Sequence, residues 1–182
     1  MKPAKGKLLI AEPTILNDTS FNRTIVLLTE FTKKNVVGFI LNRPLKYTIN
    51  DLIPEINCNF SVYQGGPVEQ DNLYFIHNQP EIISESIEVS DGIYWGGNFE
   101  SLKELLNNNS LKESDIRFFL GYSGWEKQQL EQEMNENLWF LENNNFENIL
   151  SLDDKNLWKN KLLEKGGDYK LWANAPSDFN QN

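Results

Sequence analysis

Thr24-Ile25-Val26-Leu27-Leu28-Thr29 and Val36-Val37-Gly38-Phe39-Ile40-Leu41 are the two stretches whose reading decides the fold. Both are rich in β-branched and aromatic residues, and Thr32-Lys33-Lys34-Asn35 between them supplies a polar turn, so the pair reads as a β-hairpin. Neither stretch alternates apolar with polar residues. A strand that is apolar at nearly every position has both faces covered, which places this hairpin in mid-sheet with packing layers on either side.

Working outward, Leu8-Leu9-Ile10-Ala11 is a short apolar strand closed by Pro13, and further strands are expected at 60–63, 73–77 and 92–95. Phe99, Leu102, Leu105 and Leu106 share one helical face. Arg117-Phe118-Phe119-Leu120 reads as a buried strand that runs through Gly121-Tyr122 into a helix over about 124–136, with Trp139-Phe140-Leu141 as another short strand. Leu157, Trp158, Lys161 and Leu162 recur at helical spacing, and Gly166-Gly167 stops that helix. The Asn-rich stretches 107–109 and 143–145 read as loops, because Asn tolerates left-handed backbone. Strands come first and helices mix in later. No repeat or linker divides residues 1–182, so one domain is expected.

A chain of 182 residues buries roughly 70% of its unfolded surface and needs no disulfide or metal to hold it. Against 26 Asp and Glu there are only 17 Lys and Arg, a net charge of -9. Such a far field repels DNA, RNA and anionic membranes alike, and the lysines form no long basic run, so no direct nucleic-acid partner and no membrane partner is expected. Cys58 is the single cysteine and His77 the single histidine. No intramolecular disulfide, Cys-based zinc site or two-His metal site can be assembled, and no cofactor is expected. The apolar run after Lys7 is too short for a secretory leader or a membrane span, which makes the cytoplasm the expected compartment.

Several residues are candidates for chemistry. Ser123-Gly124-Trp125-Glu126 fits a helix capping box. A serine nucleophile on a strand–turn–helix elbow would need glycine where Trp125 stands and a histidine downstream, and neither is present. Gly65-Gly66-Pro67-Val68 reads as a tight turn or, alternatively, as an anion-cradling nest. Asn42-Arg43-Pro44 ends a central strand. Its amide and guanidinium could grip a carboxylate or phosphate, or else close a turn and form an ion pair. Asp18 and Arg23 flank Phe21 and could pair, or Arg23 could join Arg43 on one anion. Gln129 and Glu133 share a helical face. His77 and Cys58 read as packed structural residues.

Taken in order, these residues resemble the YqgE/AlgH family of bacterial proteins. Gly6-x-Leu8-Leu9-Ile10-Ala11-x-Pro13, then Asp18, Phe21 and Arg23, then Gly38 to Pro44 are similar to its N-terminal signature. Gly65-Gly66-Pro67-Val68 with His77 resembles its central motif, and Gly121-Tyr122-x-Gly124-Trp125 with Gln129, Glu133 and Trp139 its C-terminal one. The resemblance implies an α+β fold, a compact domain with a large mixed, mainly antiparallel sheet flanked by helices. It brings no catalytic residues. Members are often labelled transcriptional regulators, but this chain shows no helix-turn-helix pattern.

The expected function is therefore a non-catalytic regulatory or adaptor domain that binds a protein or a small anionic ligand, using Arg23, Asn42, Arg43, Gly65, Gly66, Gly124 and Gln129. The alternative is an enzyme on a small anionic substrate held by Arg23 and Arg43, with Glu133 or His77 as general base. Direct DNA binding is a third reading. All the proposed sites require the Asn42–Arg43 strand tip, the paired glycines and the start of the Trp125 helix to converge on one pocket.

Overall fold

The computed structural model describes residues 1–152 and 154–175, with the backbone alone at Leu16 and Asn17. Along the chain come β1 (Lys7–Ala11), β2 (Ile25–Phe31), β3 (Asn35–Ile40), β4 (Pro44–Thr48), α1 (Ile49–Leu52), β5 (Ser61–Gln64), β6 (Val68–His77), β7 (Ile87–Ser90) and β8 (Ile93–Trp95). Then follow α2 (Phe99–Asn107), β9 (Ile116–Glu126), α3 (Lys127–Asn135), β10 (Trp139–Asn143), α4 (Leu157–Lys165) and α5 (Tyr169–Ala173). The result is an α+β fold: one large, curled, mainly antiparallel sheet flanked by helices. No helix among the described residues is long and apolar enough to cross a membrane.

The sheet runs β10-β1-β2-β3-β9-β6-β8-β7. β9 is its hub. Its second half pairs with β3, Gly38 opposite Ser123 and Val37 opposite Gly124. Its first half lies between β6, antiparallel, and β5, parallel, and β5 in turn carries β4. β2 and β3 form the expected hairpin, with Val26 opposite Ile40 and the Thr32 hydroxyl bonded to Asn35 at the turn. The sheet curls until the Lys5 ammonium donates to the Glu88 carbonyl at the far edge.

Both faces of the central strands are indeed packed, which explains their unbroken apolar sequence. Inside the curl, Leu8, Ile10, Ile25, Leu27, Phe39 and Phe119 meet Trp158 and Leu162 of α4 and Ala173 of α5. The alternate residues Leu9, Val26, Leu28 and Ile40 pack outward against Trp125, Trp139 and Leu130 of α3. A third cluster places Leu102 and Leu106 of α2 over Val62, Phe75, Ile116 and Phe118. At about 1.5–3 kcal/mol for each fully buried aliphatic or aromatic side chain, these layers supply the main drive for folding.

One expectation is overturned. The strand that begins at Ile116 does not give way to a helix at Gly124; it continues to Glu126, and α3 starts at Lys127. Ser123 is therefore a buried strand residue and not a helix cap, and Glu126 at the helix start makes no side-chain capping bond. Pairing with β3 and burial of Trp125 hold this segment extended, and Gly124 is a poor helix former in any case.

Candidate functional site

The central strand β3 stops at Ile40, before Asn42-Arg43-Pro44, and Pro44 opens β4 instead of ending β3. Asn42 and Arg43, between the two strands, work as a clamp on the loop between β1 and β2. Asn42 accepts the Ile25 amide N–H at 2.9 Å and donates its own amide to the Arg23 carbonyl at 2.9 Å. Arg43 donates to the Ser20 carbonyl at 2.6 Å and the Asn22 carbonyl at 3.0 Å. Burial pulls the Arg43 guanidinium below its usual range, opposed by the nearby Asp18 carboxylate. Arg23 adopts φ +57°, donates to the Ala175 carbonyl at 2.9 Å and lies 5.2 Å from the Trp158 ring centroid. Arg23, Asn42 and Arg43 thus all donate to main-chain carbonyls of their own chain. Asp18 accepts the Ser20 amide N–H at 2.8 Å, an Asx turn within the same loop.

The strand tip, the paired glycines and the Trp125 segment do meet, but as packed backbone. The Gln64 N–H donates to the Arg43 carbonyl at 2.8 Å. The Gly65 carbonyl accepts both the Ile40 N–H, at 2.9 Å, and the Ser123 hydroxyl, at 3.0 Å. A Cβ on Gly65 would collide with the Gly121 carbonyl, and one on Gly66 with the Tyr122 backbone. The glycines serve close approach of two chain segments. A nest would aim N–H groups outward, and the Gly65 N–H is already given to the Leu120 carbonyl at 2.8 Å. Gly124 faces the Tyr122 ring. The best-formed clefts are lined by other residues than these seven candidates.

The two candidate general bases are engaged as well. Glu133 accepts the Trp125 indole N–H at 2.9 Å, the Trp139 indole N–H at 2.8 Å and the Gln129 amide at 2.8 Å. Phe21 stacks on Trp125 and meets Trp139 edge-on, so this carboxylate ties an aromatic cluster together. His77 is wholly buried; its Nδ1 accepts the Gln79 N–H, which leaves Nε2–H to donate to the Gly96 carbonyl at 3.0 Å. Burial lowers its pKa, which favours the neutral ring. Among the described residues, no group of three or more His, Cys, Asp and Glu stands ready to hold a metal ion.

A buried polar centre lies at the inner end of β9. Arg117, 3% exposed, donates to the Leu41 carbonyl and to Asp154, both at 2.9 Å. The Tyr63 hydroxyl donates to the other Asp154 oxygen at 2.8 Å, and the guanidinium sits 3.9 Å from the Tyr63 ring centroid. Burial pushes the Tyr63 phenol up to about 12, which keeps it a donor. Beside this trio opens a polar cleft of about 270 Å³ lined by Ser61, Glu113, Ser114 and Ser151 among others.

Residues 8–170 match the family model described as DUF179, AlgH-like. The chain belongs to the AlgH-like family. It is 41% identical to a UPF0301 protein of Cytophaga hutchinsonii over 96% of either chain. It is 37% identical to one from Bacteroides thetaiotaomicron, covering 96% of this chain and 89% of that one. The solution structure of AlgH from Pseudomonas aeruginosa has the same fold, with a TM-score of 0.74 at 21% identity and 97% of each chain covered. So has a crystal structure from Corynebacterium diphtheriae, at 0.76 and 19%, covering 96% of this chain and 94% of that one.

The Arg117–Asp154–Tyr63 centre of this AlgH-like chain escaped sequence reading, although one signal was there. A charged residue stands at the head of the apolar run Phe118-Phe119-Leu120, and a buried charge demands a partner. Nothing in the spacing pointed to Asp154, 37 residues further on.

Proposed function

We propose that this chain is a non-catalytic regulatory or adaptor domain that binds a partner in the cytoplasm. The observation that carries this reading is the commitment of Arg23, Asn42 and Arg43 to carbonyls of the loop and of Ala175. Glu133 and His77, the groups an enzyme of this design would use as bases, are held by indole, amide and backbone partners. These engagements favour binding over proton transfer. Between a protein and a small anionic ligand they favour a protein, because the guanidinium groups that would grip the anion hold the fold together. Any influence on transcription then runs through that partner, since a net charge of -9 opposes contact with DNA.

The test sets affinity capture on the immobilised chain beside a turnover assay with anionic metabolites. A saturable, stoichiometric protein partner and no turnover are expected. Catalytic conversion of a metabolite, abolished in Arg43→Lys, overturns the reading. Cell fractionation checks the compartment, and recovery of the chain with membranes removes that part of the proposal.

A further inference from the structure

The charge of the chain is not spread evenly. Between Lys46 and Lys103 there is no Lys or Arg, and nine Asp and Glu residues fall in that span. The other 17 acidic residues equal the 17 basic ones, so the whole net charge of -9 belongs to this span. It builds the end of β4, α1, β5 to β8 and the start of α2, one flank of the sheet.

On this flank β6 has two unlike edges. One is paired with β9 along Leu73–His77. The other meets β8 only at Ile76 and His77, and a last bond runs from the Gly96 N–H to the Phe75 carbonyl at 3.0 Å. Gly96 then takes φ +68°, open to glycine at little cost, and the chain turns off towards α2. N-terminal to Phe75, no strand among the described residues pairs with that edge. Antiparallel geometry directs the N–H and C=O of every second residue to one side. The Phe75 carbonyl faces β8, so the main-chain groups of Leu73 face the open side.

Beside the open edge runs a groove of about 230 Å³ lined by Leu73, Tyr74, Ile87, Trp95, Gly96 and Glu85. Ile87 is 56% exposed, although its neighbours in the groove are mostly apolar. A side chain added at Gly96 would meet nothing within 4 Å. The exposed acids Glu69 and Asp71 precede the edge on β6, and Glu85 stands across the groove.

We propose that this edge takes an extended, basic segment of a partner protein, which adds to β6 as a strand where β8 stops. The inference rests on the adaptor reading and names the partner's chemistry. Main-chain bonds to Leu73 hold the segment, an apolar side chain enters the groove against Ile87 and Trp95, and Lys or Arg at alternate positions reach Asp71 and Glu85. Charge decides the occupant. A second copy would bring two surfaces of the same sign together, and nucleic acid would be repelled.

An array of nonapeptides tests this, with Lys or Arg at alternate positions and Val, Ile, Phe or Trp between them, and acidic counterparts as controls. The intact chain is expected to bind basic members selectively. Affinity should fall at least about tenfold in Asp71→Lys/Glu85→Lys, two exposed positions, and weaken steeply with added salt. Peptides methylated on alternate backbone nitrogens should lose binding, and the amide resonances of Leu73 and Gly96 should shift on titration. Equal binding of basic and acidic peptides, or undiminished affinity in the charge-reversed variant, overturns the groove. A captured partner that basic peptides fail to displace also overturns it and leaves the adaptor reading intact; absence of any partner removes both.

Discussion

Arg117 and Asp154 form an ion pair at 2.9 Å, with the guanidinium side chain 2% exposed and the carboxylate 15% exposed. Burying a charge is costly unless its partner is fixed, so removing one member hurts more than removing both. Asp154→Ala should cost about 3–5 kcal/mol of stability, since it leaves a buried guanidinium unpaired. Arg117→Met/Asp154→Leu should recover most of that loss. Chemical denaturation of the three proteins checks this; equal stability of Asp154→Ala and wild type would show that the pair holds nothing.

The clamp makes a separate prediction. Arg43 bridges the Ser20 and Asn22 carbonyls with two nitrogens of one planar group, a geometry that an ammonium cannot copy. Both Arg43→Ala and Arg43→Lys should loosen the loop before β2, at a cost of about 1.5–3 kcal/mol for lost charge-assisted bonds. Amide hydrogen exchange should rise at 20–25 in both variants and stay unchanged in β6.

The paired-glycine turn predicts a contrast between two Gly→Ala changes. A methyl on Gly65 has no room beside the Gly121 carbonyl, whereas one on Gly96 enters open space with only a backbone preference against it. Gly65→Ala should cost more than about 4 kcal/mol, the range reserved for gross packing faults. Gly96→Ala should cost about 1 kcal/mol. Thermal unfolding ranks them, and a reversed order would refute the close-packing account.

His77 gives the pH dependence. Its folded pKa lies below the ordinary 6.5, because burial opposes charging the ring. A depressed folded pKa means that the unfolded chain binds the proton more readily. The stability contribution is therefore complete above pH 6.5 and is lost as pH falls through the folded value. Wild type should lose stability between neutrality and about pH 5 more steeply than His77→Gln, since the glutamine lacks a titrating group in this range. Parallel slopes would rule out the linkage.

The β2–β3 hairpin, the apolar strand at Leu8 and the helix at Phe99 were legible because their periodicity is strong and their burial two-sided. β4, β7 and the short helices at Ile49 and Tyr169 were not, since they are too brief to show a period. The extended run through Ser123, Gly124 and Trp125 was misread because a Ser-x-x-Glu pattern is local, while pairing with Val36 and Val37 is set by residues nearly ninety positions away. At the site, sequence flagged Asn42, Arg43 and the paired glycines as special, and their hydrogen bonds and close packing are. What it could not supply was the identity of their partners. A carbonyl of Ser20 and a phosphate look alike to a guanidinium until the chain is folded.

Among the described residues, β9 supplies the strand pairing that links the β1-β2-β3 side of the sheet to the β6-β8-β7 side, although side chains of both sides share one core. It is also one of the last pieces of the sheet to be synthesised. A growing chain on the ribosome therefore carries the edges of β3 and β6 without their common partner until residue 126 has emerged. This domain should thus need a chaperone's company during translation far more than during refolding of the complete chain.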